Sequence, residues 1–334
     1  MKIVYVMGGT GVCGGTRVIW SHCVELTKLG HDVTYATMDR STKMLWLEGD
    51  VKVMAADNLL NDRWDVAVAT GYETWPIVHC SFTAEKKFGF VQMKEDLFLP
   101  HHLRSIVKKH FSLPIGPVIT ISEWLKEYLE GECGHKGVTI IPNGVDTALF
   151  YPDPRLEMRP KLSRAALVIG HQLNEAKNVT DAIDAIRKAG GFDIWHASPI
   201  PVKGLGVDKS YVSPPQDTLR HLYSTADVFV MSSRYEGRTC LAPEAFACGC
   251  PVVAMHHEGI DDLIGHARIV EKGNVEALAE AVQDVFIDTK KTEKLKAKAY
   301  EYVHEELRWD KIGKKLEAIY EGRIPASRRE RHKD

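Results

Sequence analysis

Arg234–Val253 reads RYEGRTCLAPEAFACGCPVV. Ahead of it Val228–Met231 (VFVM) is a short apolar run with the character of a buried strand. Leu241–Ala247 has the small and apolar content of a helix, and Ala247 and Gly249 make a small-residue turn into a second strand, Pro251–Met255. Glu236 falls in the loop and Glu244 about one turn into the helix. A helix that starts just past a strand end presents unpaired backbone N–H groups and the positive end of its dipole, which favour a phosphate. Here those groups belong to Arg238, Thr239, Cys240 and Leu241. Glu244 is then placed to accept both hydroxyls of a ribose, and Glu236 those of a sugar in transfer. The bland alternative is a capping carboxylate and a solvated helix face; the strands on both sides weigh against it.

Working outward, the same alternation fills the chain. Lys2–Met7, Asp32–Thr37, Asp65–Thr70, Gly89–Gln92 and Val118–Ile121 are apolar runs, each followed by helical or loop sequence, with a helix over Thr16–Leu29 stopped by Gly30. Proline-rich Pro142–Pro160 interrupts the pattern and marks a junction. A second set follows: a strand at Ala165–Gly170, a helix from Asn178, a strand at Asp193–His196 and a helix near Thr218–Ala226. Near-continuous apolar strands separated by helices predict parallel sheets covered on both faces. The fold class is therefore α/β with two Rossmann-like domains, over 1–146 and 152–307. A last helix near 308–322 is free to pack back on the first domain, and 323–334 is a basic tail.

Hydrophobic residues make up 44% and charged residues 26%, an ordinary core-forming composition. A net charge of −2 argues against a surface that is one nucleic-acid footprint. The seven cysteines lack CxxC spacing, so buried free thiols in a reducing compartment are expected. With no apolar stretch long enough for a signal peptide or a membrane span, a cytoplasmic location is expected, including one peripheral to the inner face of a membrane.

The Arg234–Val253 segment resembles the donor-binding motif of glycosyltransferase family 4, roughly EGFGLPLLEAMACGTPVV. Further matches come in the family's order: GGTR at Gly14–Arg17, GHDVT at Gly30–Thr34, TISEWL at Thr120–Leu125, PNGVD at Pro142–Asp146 with Phe150, and STADVFV at Ser224–Val230. The resemblance implies GT-B architecture, two Rossmann-like domains facing across a cleft, and transfer with retention from a nucleotide diphosphate sugar to a saccharide, lipid-linked or small-molecule acceptor. It implies Glu236, Lys177 and Gln92 as catalytic and Glu244, Arg238, Thr239, Cys240, Leu241, His171, Gly14 and Gly15 as donor-binding. His171 stands where the family has an arginine of its diphosphate clamp, and Arg238, where the family usually has phenylalanine, is a compensating cation. Gln92 replaces a family histidine, in GFVQMKEDLF text similar to that of transferases acting on rhamnose-rich surface polysaccharides. Glu95 and Asp96 are acceptor candidates by their place beside Gln92. No DxD triplet occurs, so neither metal nor cofactor is expected.

Other readings compete. Gly9–Gly14 (GTGVCG) is a literal GxGxxG, with Asp39 at the end of the second strand, the fingerprint of an NAD-dependent oxidoreductase. Its acidic residue lies 30 positions past Gly9, against the roughly 20 that fingerprint expects. A nucleobase-directed transferase of the same fold and a catalytically silent sugar-nucleotide binder remain open. So does a membrane or nucleic-acid contact through the tail or through Lys108 and Lys109 beside Ile106, Val107 and Phe111. His79, His101 and His102 are read as structural.

Overall fold

The computed structural model describes residues 1–153 and 163–323. Residues 154–160 of the Pro142–Pro160 junction and all but the first residue of the basic tail lie outside the described residues. The chain divides into two units: Met1–Gly144 with the segment from Trp309 onward, and Val145–Arg308.

In unit 1, seven parallel strands, β1 (Lys2–Met7), β2 (Asp32–Thr37), β3 (Lys52–Ala55), β4 (Arg63–Ala69), β5 (Thr83–Val91), β6 (Val118–Thr120) and β7 (Thr139–Ile140), run in the order 3-2-1-4-5-6-7. Helices α1 (Gly14–Lys28), α2 (Thr74–Ser81), α3 (Arg104–Phe111) and α4 (Glu123–Gly131) connect them. Ile3 to Val6 are wholly buried, which is why β1 shows no polar alternation: helices cover both its faces. The C-terminal helix Trp309–Tyr320 returns to this unit, buries Ile312 and Leu316, and sets the Tyr320 hydroxyl 2.6 Å from that of Tyr5. β2 stops at Thr37, so Asp39 lies beyond the strand end, its N–H bonded to the Gly8 carbonyl at 3.0 Å.

In unit 2, six strands, β8 (Arg164–Ile169), β9 (Phe192–Ser198), β10 (Lys209–Val212), β11 (Val228–Met231), β12 (Val252–Met255) and β13 (Arg268–Val270), form a parallel sheet of order 10-9-8-11-12-13. Its helices are α5 (Val179–Ala189), α6 (Gln216–Thr225), α7 (Leu241–Ala247), α8 (Val275–Ile287) and α9 (Thr289–Glu306). Alternate residues of each strand feed opposite cores. Leu167 and Phe229 meet Tyr223 and Phe246 on one face, while Val168 and Val230 meet Ile183 and Val282 on the other.

In each sheet the winding reverses beside the first strand, between β1 and β4 and between β8 and β11. Loops leaving the carboxyl ends of such a pair diverge to opposite faces and open a crevice, the usual ligand position in sheets of this kind.

Candidate active site

In unit 2 the loops after β8 and β11 are tied together. Arg234 N–H donates to the Ala176 carbonyl at 2.8 Å, and the Ser232 hydroxyl to the Asn178 carbonyl at 2.6 Å. Asn178 adopts a left-handed conformation (φ 46°), a geometry asparagine tolerates better than most residues, and bonds both Asp181 and the Ser232 carbonyl through Nδ2. This brings Lys177 Nζ to 2.9 Å from Glu236 Oε2, while Ser233 donates to Oε1 at 2.6 Å. Burial by itself raises the Glu236 carboxyl, but Lys177, His257 and the Ser233 hydroxyl outweigh it and hold it below the usual carboxylate range. Each carboxylate oxygen has a second lone pair, so Glu236 retains capacity to accept ligand hydroxyls.

Glu244 is buried on α7 with the Tyr223 hydroxyl 3.5 Å from Oε2. Thr239, also buried, accepts the Leu241 N–H at 3.2 Å, so that helix-end donor is satisfied within the protein rather than left open to a phosphate. Cys240 directly precedes the helix. His171 follows Gly170 at the end of β8, and its Nδ1 accepts the Leu173 N–H at 3.2 Å.

Arg238 requires a correction. Its side chain is 1% exposed and donates from Nε and Nη2 to Asp262 Oδ2, at 2.9 and 2.5 Å, with Tyr302 at 3.3 Å. Its charge is matched inside the unit, which removes it as the compensating cation of a diphosphate clamp.

His257 was not singled out by sequence. It follows β12, is 1% exposed, and accepts the Gly259 N–H at Nδ1 at 3.1 Å. Nε2 is buried with no hydrogen-bond partner among the described residues, and burial pushes the imidazole down to about 4 despite the pull of Glu236. A Cβ on Gly259 would strike the Glu236 carbonyl, so only glycine lets this loop lie against the Glu236 backbone. The surviving signal in the sequence is positional: a histidine and a glycine just past a buried strand.

In unit 1 the glycine loop follows β1. Gln92, the first residue past β5, donates from Nε2 to the Gly15 carbonyl at 3.3 Å, bringing two expected site residues together. At Gly14 a Cβ would meet nothing within 4 Å. Gly9 is enclosed: its carbonyl accepts the Tyr35 hydroxyl at 2.8 Å, and a Cβ there would run into the Asp39 carboxylate. Glu95 and Asp96, in the short helical turn after Gln92, part company. Glu95 Oε2 is 3.5 Å from the Tyr72 N–H, whereas Asp96 Oδ1 is buried without a hydrogen-bond partner among the described residues and its charge acts on Tyr128 of α4. Val107 and Phe111 are core residues, which leaves Ile106 as the exposed apolar neighbour of Lys108 and Lys109. Among the described residues no group of three His, Cys, Asp or Glu side chains converges as metal ligands, and no helix is long and apolar enough to cross a membrane.

Residues 208–302 match the family model described as glycosyl transferases group 1, which spans β10 to α9 and so includes Glu236 and Glu244. The chain is 25% identical over 197 residues to a probable sucrose-phosphate synthase of Thermosipho melanesiensis, covering 53% of this chain and 45% of that protein. It is 26% identical over 255 residues to a GDP-mannose-dependent phosphatidylinositol monomannoside mannosyltransferase of Mycobacterium tuberculosis, covering 65% and 60%. The chain thus spans about half the length of the curated relatives it matches. The solved structure of Anabaena HepE in complex with UDP-glucose superposes with a TM-score of 0.78 at 14% identity, over 96% of this chain and all of that one. The fold is GT-B, two parallel-sheet α/β domains, and the C-terminal unit carries a glycosyltransferase group 1 region. The nicotinamide and nucleobase-directed readings gain no support from these relatives.

Proposed function

We propose that the chain is a retaining, metal-independent glycosyltransferase of family 4 type that moves a sugar from a nucleoside diphosphate to an acceptor hydroxyl. The observation that carries this is the partly buried Lys177–Glu236 ion pair at the β8/β11 switch point, with Glu244 on the helix that follows. Lys177 Nζ has three donors and Glu236 uses one, so the ammonium can also meet a diphosphate. Glu236 accepts hydroxyls of the transferred sugar, Glu244 accepts those of the ribose, and Gly14 and Gly15 let backbone approach the leaving group. The acceptor oxygen attacks the anomeric carbon on the face from which the diphosphate leaves. The bond from that carbon to the phosphate oxygen breaks, and the acceptor's proton passes to the departing oxygen. Cations and fixed donors stabilise the charge that develops there.

The experiment is a thermal-shift panel of UDP, GDP, dTDP, ADP and CDP in EDTA, followed by proton NMR of the product's anomeric configuration. A ligand that binds only the folded state raises Tm by mass action. Stabilisation by one nucleoside diphosphate in EDTA and a retained anomer support the reading. Stabilisation only with added metal, or an inverted product, removes the corresponding part of it.

A further inference from the structure

The crevice at the carboxyl ends of β1, β4 and β5 in unit 1 has an acidic side. Glu95 lies against the turn that follows β4: Oε1 is 3.4 Å from where a Gly71 Cβ would stand, and Oε2 receives the long 3.5 Å bond from Tyr72 N–H. Glu73 follows in the same turn, its Oε1 bonded by the Tyr72 hydroxyl at 3.0 Å. Among the described residues neither carboxyl pairs with a cation. The nearby basic groups turn elsewhere. Lys94 reaches Glu132 at 2.7 Å and covers the Tyr128 ring, Lys108 lies 3.9 Å from Glu132, and His110 Nδ1 meets the Tyr72 carbonyl at 3.0 Å.

The first turn of α1 carries no acidic residue and opens on Gly14 and Gly15, so that place favours an anion. The proposed function gives it to the diphosphate. What remains beside Gln92 is Glu95 with Glu73 behind it. Burial raises the Glu95 carboxyl, the Tyr72 N–H offsets this in part, and Glu73 adds to it, so the group is held at about 7. Around neutrality it both donates and accepts, which suits a hydroxyl. A phosphate or carboxylate brought to the same place meets the negative charge of Glu73 and of ionised Glu95.

We propose that Glu95 determines acceptor class, admitting an uncharged saccharide hydroxyl and rejecting phosphorylated or carboxylated acceptors. This rests on the transferase reading above.

The test uses the full chain with UDP-glucose and GDP-mannose against hexoses, N-acetylhexosamines and inositol, each beside its monophosphate. Products are followed by mass spectrometry and nucleoside diphosphate binding by calorimetry. Uncharged members are expected to accept at least tenfold better, and Glu95→Gln to shrink that ratio about tenfold while nucleotide affinity stays unchanged. KM for a phosphorylated member rises through pH 7 in the parent chain more than in Glu95→Gln, where only the probe's own ionisation remains. Preference for phosphorylated members overturns the proposal, as does a ratio and pH profile untouched by the substitution. No transfer to any uncharged member while the nucleotide binds also overturns it. Absence of nucleoside diphosphate binding overturns instead the transferase reading on which it rests.

Discussion

Lys177 Nζ lies 2.9 Å from Glu236 Oε2, and this contact joins the two loops that leave the switch point of unit 2. The two side chains are 25% and 11% exposed, so the pair is little screened and the carboxylate depends on its partner. Ser233 and the buried imidazole of His257 complete its surroundings, and both come from loops at strand carboxyl ends.

Lys177→Ala leaves the Glu236 carboxylate with Ser233 and His257 but without its ammonium partner, and is expected to cost roughly 2–3 kcal/mol of stability. Glu236→Gln with Lys177→Ala should cost less than the sum of the single changes, with a coupling of about 1–2 kcal/mol. Urea unfolding of the four proteins measures the cycle. Additive effects would mean that the pair does not hold the loops.

Glu244→Ala and Arg238→Met should separate binding from folding. The first is expected to weaken nucleoside diphosphate binding at least tenfold, about 1.4 kcal/mol. The second leaves Asp262 and Tyr302 without their buried cation and is expected to lower stability by roughly 3 kcal/mol, with nucleotide affinity nearly unchanged. Calorimetry beside a denaturant melt reads both. A selective affinity loss in Arg238→Met would return that residue to the diphosphate.

Much of this was legible in the sequence, and the exceptions share a physical cause. Val228–Met231 and Leu241–Ala247 are found where the apolar runs place them because buried strands and helices write their whole length in hydrophobic residues. The short edge strands β3, β7 and β10 have only two to four residues and are largely half-exposed or exposed, so no run announces them. Arg238 was misread because its partners, Asp262 and Tyr302, stand 24 and 64 residues away. His257 was missed because its role depends on the register of β12 beside β11, which no local spacing records.

Glu95 departs from ordinary carboxylate behaviour, and its stability signature has the opposite sign. Its folded value of about 7 lies above the unattached value of 4.5, so the native state binds the proton more tightly than the unfolded chain. Stability therefore falls as pH climbs from about 4.5 to about 7 and is flat beyond. Glu95→Gln is expected to gain roughly 2 kcal/mol over the parent at pH 8 and little at pH 4. Equal offsets at both pH values would refute it.

His22 is buried among Tyr5, Phe90 and Trp309, neither ring nitrogen has a hydrogen-bond partner among the described residues, and burial pushes it down to about 3. The unfolded chain takes up this proton first, so stability is lost as pH drops from about 6.5 toward 3. His22→Phe removes two unsatisfied nitrogens, with an expected gain of about 1 kcal/mol at pH 7 and more at pH 5. Thermal melts across that range check it; an unchanged acid limb would place the labile group elsewhere.

The Val145 N–H meets the Leu307 carbonyl at 2.6 Å, and a Cβ on Gly144 would touch the Trp309 indole. Unit 2 thus begins and ends at one doorway, while unit 1 is stitched from two separated lengths of chain. Residues 145–308 can be lifted out as a single cassette whose tips already abut, and Gly144 can be spliced to Trp309 by a short linker.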